Sequence, residues 1–183
     1  MPPAKRRPPV KPSKGDAVSV DEPLEFLRGS TYRQRQVCLT IEQFLTGDAP
    51  ANEIIAACEY LSVVYPLHLF DLVDDLLPLL RDRCKPSDNI LPVLEELAEA
   101  QKTVRALAAK TVKALVDHLE RQSEGGPSKA LQRQTGELLT GLRRLSAIES
   151  GIVLPLARAR LSDNDLHELA QRMKTRRGLK DAG

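Results

Sequence analysis

Pro66-Leu67-His68-Leu69-Phe70-Asp71-Leu72-Val73-Asp74-Asp75-Leu76-Leu77-Pro78-Leu79-Leu80-Arg81 is the stretch that decides the fold. His68, Leu72, Leu76 and Leu79 fall three or four residues apart, the spacing that lines one face of an α-helix. The same stripe extends backwards through Tyr65, Leu61, Cys58 and Ile54, so the spacing predicts one helix from about Ala51 to Arg83. It starts after Thr46-Gly47-Asp48-Ala49-Pro50 and stops before Lys85-Pro86-Ser87-Asp88, both strong breakers. Pro66 lies within it, and a proline there removes one backbone hydrogen bond and predicts a kink.

Working outward, three further long helical patterns appear. The first runs from about Asp21 to Thr46 on Leu24, Leu27, Thr31, Gln34, Cys38, Ile41 and Leu45. The third runs from about Asp88 to Gln122 on Ile90, Leu94, Leu97, Gln101, Val104, Ala108, Leu115 and Leu119. After Glu124-Gly125-Gly126-Pro127, the fourth runs from about Ser128 to Leu161 on Leu138, Leu142, Leu145, Glu149, Ile152 and Leu156. Ser162 offers an N-cap for a short fifth helix reaching about Arg176. Four amphipathic helices of similar length joined by short breaks predict an all-α, up-down-up-down four-helix bundle with a short C-terminal fifth helix.

Composition agrees. Aromatic residues make up 3% of the 183, with no tryptophan, which disfavours a β-sandwich or barrel. Residues 1–20 differ from the rest. Pro2, Pro3, Pro8, Pro9 and Pro12 alternate with Lys5, Arg6, Arg7, Lys11 and Lys14, with too little apolar surface to offset ordering, so a disordered basic tail is expected. Such a tail suits weak contacts with nucleic acid or anionic surfaces, while the net charge of +2 declares no such partner for the whole chain. Cys38, Cys58 and Cys84 have no metal-type or CxxC spacing and read as small buried thiols. No apolar run approaches the roughly 18–20 residues of a membrane span, and no signal-peptide core is visible, so a cytoplasmic protein is expected.

Thr31, Gln34, His68, Gln101 and Glu149 are polar residues at positions the periodicity turns inward. Each is costly to bury without a partner. Together they predict a shared polar layer inside the bundle, with His68 and Glu149 meeting between the second and fourth helices. Asp71, Asp74 and Asp75 read instead as a solvated face, and His118 and His167 as surface or boundary residues.

Four segments resemble the hemerythrin-like, or HHE cation-binding, domains. Pro66 to Arg81 is similar to the family's second-helix pattern P-L-H-x-x-D-E-E-x-D-L-F-P-L-L-R. Pro23-Leu24-Glu25-Phe26-Leu27-Arg28-Gly29-Ser30-Thr31-Tyr32-Arg33-Gln34-Arg35 resembles its first helix, and Leu142 to Ala157 its fourth. Met173-Lys174-Thr175-Arg176-Arg177-Gly178 resembles the ending of bacterial members; residues 21–178 would form the domain. The resemblance implies a di-iron site with six ligand positions. Here Thr31, Leu72, Gln101 and Leu145 occupy four of them without a strong iron ligand, and His68 and Glu149 occupy the other two. Two ligands cannot hold two irons in a dry core. The expectation is a non-catalytic domain, without a cofactor, that has lost its di-iron site and acts as a structural or regulatory interaction module for a protein partner. The alternative is an altered iron site built on His68, Glu149 and Asp71 and linked to oxygen or redox sensing, storage or carriage. No phosphate loop, nucleophile elbow or paired acid and base suggests an enzyme.

Overall fold

A computed structural model of the chain describes residues 19–121 and 126–179, which are all-helical, without strands among them. Five helices follow in order: α1 (Pro23–Thr46), α2 (residues 51–83), α3 (Leu91–Glu120), α4 (residues 129–160) and α5 (Asp163–Arg176). A 3₁₀ turn at Pro86–Asp88 precedes α3. The expected basic tail lies almost wholly outside the described residues. Val20, which composition assigns to that tail, is 6% exposed and joins the core, so folded structure begins ahead of the boundary at residue 21.

The helix ends follow local chemistry. Gly47 closes α1 at φ +86°, a conformation open to glycine and strained for other residues. Asn89 takes φ +47° after the 3₁₀ turn, where its short polar side chain is tolerated. Ser162 caps α5 as expected, its Oγ accepting from the Asp165 N–H at 3.2 Å while Asp165 accepts from the Ser162 N–H at 3.0 Å.

In the core, α1 packs on α2 and α4, and α3 packs on α2 and α4. Leu27, Ile41, Ile54, Leu76, Leu97 and Leu142, taken from all four, are fully buried. Cys38 and Cys58 are buried with them, and burial pushes both thiols up to about 11, so they are inert packing groups. Cys84 is partly buried.

Two helices are not uniform. π-helical turns interrupt α2 at Tyr60–Val64 and Phe70–Leu76, and α4 at Glu149–Val153. Pro66, Pro78 and Pro155 each stand second in the α-helical segment that follows such a turn. A proline inside a helix lacks an N–H and crowds the carbonyl four residues back; a wide turn just ahead of it accommodates both defects. The missing hydrogen bond expected at Pro66 is therefore absorbed by a π turn. In α4 the wide turn also shifts the buried stripe by one residue. Ile152, expected on the seam, is 41% exposed, and Val153 is fully buried in its place.

The acidic cluster of α2 is a second correction. Asp74 is exposed as expected, but Asp71 and Asp75 are buried, not solvated. Helix α5 lies over the Phe70–Leu76 turn and brings arginines to both. Arg177 donates to Asp71 from Nη1 at 3.0 Å and again from Nη2; Arg176 donates to Asp71 and, at 2.6 Å, to Asp75. At the other end of α5, Arg83 clasps Asp165 through contacts of 2.8–3.2 Å, which hold that carboxyl well below its usual range. Leu169 and Met173, fully buried, complete the docking.

Candidate functional site: a buried polar layer

His68 follows the first π turn of α2 by four residues, and Glu149 opens the π turn of α4. Both side chains are 1% exposed, and His68 Nε2 lies 2.9 Å from Glu149 Oε2. The Nε2–H tautomer of His68 places the donor on this contact. The second carboxylate oxygen accepts from Gln101 Nε2 at 2.8 Å, and Gln101 Oε1 accepts from the Tyr65 hydroxyl at 2.8 Å. The Tyr65 ring also stacks on the His68 imidazole, with centroids 6.4 Å apart. The result is a loop, Tyr65–Gln101–Glu149–His68, made of three hydrogen bonds and closed by the Tyr65–His68 ring contact, that ties α2, α3 and α4 together in the buried interior.

This layer contains three of the five expected polar residues. Thr31 turns away and donates to the Arg28 carbonyl of its own helix at 2.8 Å. Gln34 bridges α1 to α4 separately, its Nε2 donating to the Leu142 carbonyl at 2.9 Å and to Ser146 Oγ at 2.7 Å. Tyr65, which the periodicity places on the α2 stripe, is the member not counted among the inward polar residues. Its available signal was a phenol on an apolar seam, because a buried tyrosine hydroxyl ordinarily needs a partner. Leu72 and Leu145, each 1% exposed, are buried apolar residues at two of the expected ligand positions. Asp71 is committed to Arg176 and Arg177. His167 is exposed and His118 half-buried, with its ring edge-on to Phe44.

Among the described residues, no group of three or more His, Cys, Asp or Glu side chains gathers as a set of metal ligands. The donors do not fit a di-iron pair: one imidazole and one carboxylate face each other at hydrogen-bond distance, and the carboxylate's other oxygen is occupied by an amide. No helix in the described residues is long and apolar enough to cross a membrane. No protein-family model matches the chain, and comparison with curated proteins and with solved structures finds no significant match.

The loop makes a quantitative prediction. Glu149→Ala leaves His68 and Gln101 without their buried acceptor and is expected to lower stability by about 1–3 kcal/mol. His68→Leu removes the imidazole from the same loop. Combined, the two changes should cost less than the sum of the single losses, measured by denaturant unfolding. Strict additivity would show that the two residues do not interact.

Proposed function

We propose that the chain is a hemerythrin-like, up-down-up-down four-helix bundle with a short C-terminal fifth helix. In this reading the di-iron site has been replaced by a hydrogen-bonded polar layer. The protein acts without catalysis and without a metal cofactor, in the cytoplasm, as a structural or regulatory interaction module. The observation that carries this is the hydrogen bonding of Glu149 to both His68 and Gln101, three residues at positions where the family resemblance implies ligands, with His68 Nδ1 the one buried atom of the three left without a partner. A repacked layer needs each lost ligand position to be apolar or hydrogen-bonded; Leu72 and Leu145 are buried and apolar, Gln101 bonds Glu149, and Thr31 bonds its own helix. Support for the topology comes from cross-helix contacts. Along α1 and α4, Glu42 meets Arg143, Arg35 meets Ser150, and Glu25 meets Arg158, so one helix ascends as the other descends.

The altered iron site on His68, Glu149 and Asp71 is the weaker reading, because Asp71 is held by two guanidinium groups. The basic tail provides, in the same proposal, a weak tether to nucleic acid or an anionic surface. Iron analysis decides between the two main readings. Protein expressed with iron present is expected to carry substoichiometric iron and to lack oxo-to-iron charge-transfer bands in its visible spectrum. Stoichiometric iron with such bands would overturn the proposal.

A further inference from the structure

Positive charge collects between α1 and α4 without an equal number of carboxylates. Two adjoining surface cavities share Arg28 and Ser150; their charged lining residues are Glu25, Arg28, Arg35 and Arg158. Three guanidinium groups against one carboxylate leave a local charge of +2. Glu25 is divided between two of them, holding Arg28 at 2.5 Å through one oxygen and Arg158 through the other. Arg35 points at a neutral partner, donating to Ser150 Oγ at 3.0 Å. Elsewhere on the same two helices, Arg143 meets Glu42, Arg144 meets Glu96 and Arg160 meets Asp88. A concentrated surplus raises self-repulsion in the free protein and attracts anions.

Two further features mark this place. Tyr32 is 59% exposed and lies one helical turn from Arg28 on one side and from Arg35 on the other. Gly29 lines the groove, and Gly151 adjoins Ser150, both inside helices where glycine costs stability. At Gly151 an added Cβ would meet nothing within 4 Å, so close packing does not require the glycine. At Gly29 no side chain stands between the groove and the α1 backbone.

We propose that this groove binds a small phosphate-bearing ligand, with its phosphate oxygens held by Arg28, Arg35 and Arg158 beside the Ser150 hydroxyl. Guanidinium forks match phosphate oxygens in pairs, and a multiply charged anion answers all three arginines where a single carboxylate would answer one. Inorganic pyrophosphate and a nucleotide share this chemistry; a nucleotide adds a base that can lie on the exposed Tyr32 ring. The inference does not depend on whether the bundle ever held iron.

The test is calorimetric titration of the full chain with inorganic pyrophosphate and, separately, with ADP. Saturable one-to-one binding is expected. Arg35→Gln and Arg158→Gln should each weaken it about tenfold, the loss of one charge-assisted contact. Glu25→Gln should tighten it by freeing Arg28 and Arg158, while Arg133→Gln, an exposed position on the same helix α4, should leave it unchanged. Tyr32→Leu separates the sources: weakening of ADP alone identifies a nucleotide, and no effect on either identifies free phosphate. Backbone amide shifts confined to Gly29, Ser150 and Gly151 would support the site in the folded variants. Absence of saturable binding, binding that survives Arg35→Gln and Arg158→Gln, or an equal loss with Arg133→Gln would overturn the proposal.

Discussion

Leu72→Glu is expected to destabilise the protein by about 4 kcal/mol or more, because removing a buried leucine alone costs about 2–5 kcal/mol. Leu72 is 1% exposed and lies within the Phe70–Leu76 turn, four residues after His68. The new carboxylate would enter an apolar site, and the guanidinium groups over this turn, Arg176 and Arg177, are already held by Asp71 and Asp75. Burial then favours the protonated form and raises the new group's folded-state pKa above its unfolded value of about 4.3. The folded variant therefore binds more protons than the unfolded chain, so its stability falls as pH rises. Its deficit relative to the parent should be smallest below about pH 4 and largest above the raised folded-state pKa, where it levels off. Leu72→Met, which keeps volume and polarity, should cost less than about 1.5 kcal/mol. Denaturant unfolding across pH measures all three effects. Added iron is expected to leave the Leu72→Glu midpoint unchanged; recovery of parental stability on adding iron would show that a metal site persists and needs only one ligand.

The helix order and most of the core were legible because each helix ends at strong breakers and hides one stripe. Gly47, the Pro86–Asp88 turn and Ser162 all act where their chemistry says they should. The inward polar residues were legible for the same reason: a stripe three or four residues apart places His68, Gln101 and Glu149 inside whether or not their partners are known. Other features depend on information that spacing does not contain. A π turn adds a residue to the repeat, so the α4 stripe passes from Ile152 to Val153. Its sequence signal was a proline within a helix, shared by Pro66, Pro78 and Pro155. Thr31 sits at an inward position but satisfies its hydroxyl on its own backbone, which periodicity cannot distinguish from joining the layer. Asp71 and Asp75 looked solvated because one stripe was counted for α2. That helix is covered twice, by the bundle core and by α5, and the arginines that make the second burial tolerable lie about a hundred residues away in the chain.

That second covering carries the other large effect. Replacing Arg176 and Arg177 together with alanine is expected to lower stability by about 3–5 kcal/mol, the usual cost of removing one side of a buried ion pair. Asp71 is fully buried and Asp75 is 8% exposed by side chain, so neither carboxylate can turn to water when the guanidinium groups go. The arginines are themselves only 22% and 15% exposed, and their guanidinium carbons stand 5.6 Å from the Phe70 ring centre and 4.8 Å from that of Phe26. By contrast, Lys102 with Glu99, exposed at 70% and 73%, should contribute at most about 1 kcal/mol. Salt separates the two kinds of pair, because screening acts mainly on exposed charges: high salt should weaken the Lys102 pair and largely spare the arginine cluster. Arg177→Lys should fall between parent and alanine, since a lysine restores charge without the fork that bonds both Asp71 oxygens. Adding Asp71→Asn to the double alanine variant should recover part of the loss, because it removes the carboxylate left without a partner. If the double alanine variant loses less than about 1 kcal/mol and Asp71→Asn brings no recovery, the cluster behaves as a solvated surface pair, and α5 is held by Leu169 and Met173 instead.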